Sequence, residues 1–226
     1  SAITTYTATA NPGGAFGSCA GPAACTATVT GLNNGTAYTF TVTASNAIGT
    51  SVASGASNSA TPKGNQTITF PNPGAQNFGT TPNLSSTASA TSSLAPTFTS
   101  STPGVCTITS GGALTFVTAG SCTIDADQVG NTVWNAATTV TQIFTVNAVV
   151  PGAPTIGTAT AGNTQATVTF TAPASPGGAA IIASGYTVTA NPGGAIATGS
   201  SSPITVSGLT NGIAYTFTVT ATNSAG

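Results

Sequence analysis

The chain is predicted to be all-β, a string of small sandwiches, on three observations. The first is strict alternation: Tyr215, Phe217, Val219 and Ala221 take one side of a strand, and Thr216, Thr218 and Thr220 the other. Period two with a β-branched polar face marks a half-buried strand. The second is repetition. Gly208–Asn223 is nearly the same text as Gly31–Asn46, and each opens on an Asn-Gly turn signal. The third lies between the repeats, where short alternating runs are separated by Gly, Pro and Ser, the punctuation of a β-sandwich.

Composition narrows the class. Only 1% of the 226 residues are charged, and hydrophobic residues make up 39%. The charges are Lys63, Asp125 and Asp127; Glu, Arg, His and Met are absent. A soluble domain carries about 25% charged residues, so the departure is large. It is not the charged kind of disorder, because the apolar positions alternate and can fill a core. No run of about 20 apolar residues exists, so no membrane insertion is expected. Nucleic acid is excluded as a natural partner, since one Lys cannot neutralise a phosphate backbone. The four Cys fall as two close pairs, Cys19 with Cys25 and Cys106 with Cys122, at spacings that do not suit a metal. Two disulfides and an oxidising, extracellular or cell-surface setting are the reading adopted; buried free thiols are the alternative.

Taken in order, Ser1–Pro62 reads as one unit. Tyr6, Ala8 and Ala10 alternate with Thr7 and Thr9 before a turn at Asn11-Pro12-Gly13-Gly14. These words return 180 residues later as Tyr186-Thr187 and Asn191-Pro192-Gly193-Gly194, whereas the Tyr-Thr-Phe strand returns after 177. The first repeat therefore holds three extra residues, in the loop that carries Cys19 and Cys25. Gly49–Ala60 is expected to continue as a last strand, and Thr61–Gly64 to be a linker. Residues 66–147 form a second unit of short strands around 96–99, 105–109, 113–117 and 122–128, and Val149–Pro154 is a second linker. The third unit, 151–226, has Ala166, Val168 and Phe170 alternating with Thr167, Thr169 and Thr171.

The repeats resemble fibronectin type III modules. Six residues separate Leu32 from Tyr38 and Leu209 from Tyr215, as in the tyrosine corner of immunoglobulin-like sandwiches. The resemblance implies that Tyr38 and Tyr215 are core residues whose hydroxyls bond to backbone near Leu32 and Leu209. The middle unit is similar to the bacterial immunoglobulin-like domains that stand beside such modules in large secreted repeat proteins. The fold class is thus all-β, tandem immunoglobulin-like sandwiches arranged as beads. Against that pattern the first repeat begins at a third strand and the last stops short of a final one. Flanking chain beyond both ends is expected; the alternative is strands supplied by a neighbouring molecule.

Candidate sites are few. Asp125 and Asp127, two apart on a strand, share an outward face with Thr123; half a calcium site and a solvated acidic face are the two readings, and the second is favoured. Trp134 is read as a half-buried plug rather than a sugar-stacking platform. Lys63 lies in a linker, unsuited to an isopeptide bond, and three sequons at Asn34, Asn65 and Asn83 are chance matches in an Asn- and Thr-rich chain. With no His, Glu or Arg to activate a nucleophile, no catalytic residue, cofactor or metal is expected. Two functions remain. One is a structural repeat segment of a bacterial surface fibre, sheath or adhesin stalk that self-associates through uncharged Thr-rich surfaces. The other is a spacer or carbohydrate-contacting module of a secreted polysaccharide-degrading enzyme, with polysaccharide or another cell-surface component as partner.

Overall fold

The computed structural model describes residues 1–226 and contains strands but no helix. The strands are β1 (Thr5–Asn11), β2 (Phe16–Ala20), β3 (Thr39–Ser45), β4 (Ile68–Thr69), β5 (Gln76–Asn77), β6 (Ser89–Ala90), β7 (Thr97–Ser100), β8 (Cys106–Ile108) and β9 (Leu114–Phe116). They continue as β10 (Gly120–Asp127), β11 (Val140–Asn147), β12 (Thr155–Gly162), β13 (Gln165–Thr171), β14 (Tyr186–Asn191), β15 (Ile196–Gly199), β16 (Ile204–Ser207) and β17 (Thr216–Ala221). The all-β class read from the alternation is the class observed.

The first repeat makes one three-stranded antiparallel sheet, ordered β2-β1-β3. The second repeat makes the same sheet again, β15-β14-β17, and lays a second sheet, β12-β13-β16, over it. The residues between the two repeats in sequence form a four-stranded sheet, β5-β11-β10-β7, and two short pairs, β4-β6 and β8-β9. The chain divides into two compact units. One is Ser1–Ile68 with Ser89–Ala95 and Asp127–Thr139; the other is Thr69–Ala88 with Pro96–Ala126 and Val140–Gly226.

Within the larger unit, alternate residues of β13, β14 and β16 interdigitate. Ala166, Val168, Phe170, Tyr186, Val188, Ala190, Ile204 and Val206 are buried together, and the Phe170 and Tyr186 rings pack at 4.8 Å. A further core gathers Phe70, Phe98, Leu114, Phe116, Ile124, Phe144 and Val146. There Phe70 meets Phe98 edge-on at 5.6 Å. Each such side chain contributes about 1.5–3 kcal/mol by leaving water.

Two expectations change. Residues 51–59 run beside β3 without regular strand geometry. The expected linker at Thr61–Gly64 is held by hydrogen bonds: Gly35 N–H donates to the Pro62 carbonyl at 2.8 Å, and Gly64 bridges to Val133 and Asn135 at 2.8 Å each way. The cause is Gly64 itself, which lies so close to the Trp134 ring and the Asn34 amide that a Cβ there would sit 2.7 Å from both. Only glycine admits that approach.

Candidate functional site: tyrosine corners, sheet faces and junctions

The corner begins with a glycine on each side of a Leu-x-Asn stretch. Gly31 and Gly208 both adopt φ +77°, and of the leucines that follow them Leu209 is buried and Leu32 half-buried. The Tyr38 ring is buried, and its hydroxyl accepts the Asn33 N–H at 3.0 Å. The Tyr215 ring is half-buried, and its hydroxyl accepts the Thr210 N–H at 3.1 Å. In both repeats the donor is the residue after the Leu. The hydroxyl thus satisfies a loop N–H that would otherwise lack a partner.

Two disulfides are present. Cys19 is bonded to Cys25 across the lengthened loop, with Cα atoms 6.0 Å apart. Cys106 is bonded to Cys122, with Cα atoms 5.7 Å apart, and both lie fully inside the core. Asp125 receives hydroxyl hydrogen bonds from Ser101 and Thr141, and Asp127 receives one from Thr139. The Ser101 bond first, and the Thr141 bond second, hold the Asp125 carboxyl below its usual value. Trp134 is half-buried, with its ring against Gly64.

The second junction is built around Asn223, whose counterpart in the first repeat is Asn46. The Asn223 side chain is buried; its Nδ2 donates to the carbonyls of Val149 at 2.8 Å and Pro176 at 2.7 Å. Val149 N–H in turn donates to Gly177 at 2.9 Å. Beside it, Thr118 Oγ1 and Ala119 N–H both donate to the Gly178 carbonyl at 2.7 Å. The sequence reading did not single out Asn223. Its position closing the repeated Gly-to-Asn stretch is the only signal that marks it.

Threonine covers the outward faces in rows that run across strands. Thr7 stands between Ser18 and Thr43, and Thr187 between Thr198 and Thr220. Thr167 and Thr205 share a hydroxyl hydrogen bond at 3.0 Å. On the same faces, beside Thr9 and Thr189, stand Phe16 and Ile196, which are 69% and 66% exposed. No charge accompanies them. Large apolar side chains in the same register of both repeats are the one exposed feature the two faces have in common beyond Thr.

Three solved structures are similar to the chain. Titin domains A168–A170 align at 18% identity over 83% of this chain and 70% of that one, with a TM-score of 0.32. The chicken CNTN1 FN1–FN3 domains align at 13% identity over 99% and 86%, with a TM-score of 0.30. The S-layer protein rSbsC(31–844) aligns at 15% identity over 99% of this chain but 35% of its own, with a TM-score of 0.26. No curated protein matches. The family model described as fibronectin type III domain matches residues 151–226. That stretch holds the paired sheets of the second repeat and the corner of Tyr215: residues 151–226 are a fibronectin type III domain.

Proposed function

We propose that the chain is a structural repeat segment of an extracellular bacterial fibre, sheath or adhesin stalk, built of modules at 1–62, 66–147 and 151–226. It catalyses no reaction, and it associates with copies of itself through its Thr-rich sheet faces. A fibronectin type III domain and two disulfides fit an extracellular repeat module. The observation that carries the assembly reading is the pair of uncharged Thr faces with Phe16 and Ile196 exposed at matching positions.

The physics favours contact over repulsion. Formal net charge is −1 at pH 7, too small to keep copies apart. Threonine offers a hydroxyl and a methyl, so two such faces can meet without desolvating an ion. Because little Coulomb energy is involved, association should be nearly insensitive to salt. Sedimentation of the full chain across protein and salt concentrations tests this. Association that persists at high ionic strength and weakens in Phe16→Ser/Ile196→Ser is the expected result. A chain that stays monomeric at high concentration overturns the assembly reading.

A further inference from the structure

The edge of β3 that faces away from β1 is closed by residues that are not a β-strand. Ser51, Ser54 and Ser57 donate their N–H groups to the carbonyls of Ala44, Val42 and Phe40, each at 2.9 Å. The same three serines accept, on Oγ, the N–H groups of Ala44 at 3.0 Å, Val42 at 2.9 Å and Phe40 at 3.0 Å. One side takes steps of three residues while the other takes steps of two. Two extended residues cover about 6.8 Å, so the serine segment advances only about 2.3 Å per residue. It is a β-bulge repeated at every step.

The serine side chain is what makes such a run possible. Where the wound backbone brings no carbonyl to the β3 N–H, the hydroxyl oxygen takes its place. The hydroxyl proton then goes to the next carbonyl along: Ser51 to Val52 at 2.8 Å, Ser54 to Gly55 at 2.8 Å, and Ser57 to Asn58 at 2.7 Å. At Ala60, which has no hydroxyl, the pairing reverts to an ordinary backbone bridge with Tyr38, 2.8 Å in both directions.

We propose that Ser51-x-x-Ser54-x-x-Ser57 is an uncharged seal on the sheet edge. It satisfies every outward N–H and C=O of Phe40, Val42 and Ala44. On its own outer side the wound backbone offers groups at intervals an extended strand cannot match, and three of its carbonyls are already occupied by hydroxyls. Sheet edges are usually blunted with Lys, Pro or bulges; the single Lys of this chain stands outside the segment, at position 63. The seal does not depend on the assembly reading, since it forbids edge-to-edge pairing whether or not faces meet.

Amide exchange on the full chain tests it. Ser54→Ala should speed exchange of the Val42 amide by roughly tenfold, the loss of one hydrogen bond, while Thr41 and Thr43, which face β1, keep their rates. Ser54→Thr, which retains a hydroxyl, should exchange like the wild type. The triple variant S51A/S54A/S57A should free the Phe40, Val42 and Ala44 amides and sediment as larger species than the wild type at equal concentration. An unchanged Val42 rate in S54A overturns the hydroxyl's role, as does equal acceleration throughout β1–β3. A triple variant with freed amides that sediments like the wild type overturns the seal.

Discussion

The sheet β2-β1-β3 and the sheet β15-β14-β17 are one sheet written twice, and within residues 1–226 the second has a further sheet, β12-β13-β16, packed on it. Tyr6, Ala8 and Ala10 correspond to Tyr186, Val188 and Ala190; Phe40 and Val42 correspond to Phe217 and Val219. In the second repeat, Phe170, Val168 and Ala166 of β13 lie across this face and Tyr186, Val188 and Ala190 are buried. In the first repeat, Ala27 and Val29 stand where Ile204 and Val206 do, with no counterpart of β13 beside them within residues 1–226. Tyr6 and Ala8 remain half-buried, Val42 is 40% exposed, and an open groove of about 520 Å³ runs between Tyr6, Val42 and Ala27. The comparison separates two causes. Alternation decides which side chains share a face; burial depends on what is laid over that face. The turns and corners are indifferent to cover, since Gly13 and Gly193 both have φ +92° and both tyrosines make the same bond. The first repeat also carries Cys19, bonded to Cys25, at the register position where the second has Gly199.

The largest expected effect lies in the paired core positions. Val206→Ala removes two methyl groups from a fully buried site and should cost about 2–3 kcal/mol. Val29→Ala, at the equivalent half-covered position, should cost less than about 1 kcal/mol. Denaturant unfolding read from amides of each repeat measures both, and equal costs would break the comparison. Next comes the cross-link. Cys19→Ser/Cys25→Ser should lower the stability of the first repeat by roughly 2 kcal/mol through the short closed loop, leaving amides of the second repeat unmoved. Should the first repeat lose nothing, the disulfide is not a source of its stability.

The corners should respond less, and unequally. Tyr38→Phe removes a part-buried hydrogen bond and should cost about 1 kcal/mol; Tyr215→Phe, whose bond is exposed, about 0.5 kcal/mol. A larger loss at Tyr215 would show that cover does not set the value of the bond. The smallest effect is electrostatic. The Asp125 carboxyl is held below its ordinary value, so its hydroxyl bonds stabilise the folded chain above that value, and the contribution is lost as pH falls through the folded pKa. Ser101→Ala should move the Asp125 titration upward in a carboxyl-resolved NMR experiment. An unmoved titration would remove Ser101 as the cause.

Much of this fold is legible in the chain because period two and the Leu-to-Tyr spacing are local rules. β3 and β17 follow from the alternation of Tyr, Phe, Val and Ala with Thr, and the turns from Asn-Pro-Gly-Gly. Alternation does not mark β12, which is exposed along its whole length and shifts register between Ile156 and Ala159; only the resemblance of Pro154-Thr155-Ile156 to the entry strand of a fibronectin type III module points to its start. Ser51, Ser54 and Ser57 escape for a different reason: their period is three, which belongs to neither an α-helix nor a β-strand, so period two marks only a poor strand there. The junctions escape because Pro, Gly and Asn are the residues of free linkers as well as of tight ones. Only the neighbours of Gly64 and Asn223 tell the two apart.

Gly64 has a mechanical consequence. A slack joint of four residues would lengthen by about 13–14 Å before tension reached the next folded element. Here the backbone on either side of Lys63 is tied to Gly35, Val133 and Asn135, so a pull along the chain loads hydrogen bonds at once, with almost no give. Trp134, the single indole of the molecule, lies against that joint. Its fluorescence should therefore report on that joint, changing when the contact with Gly64 is lost.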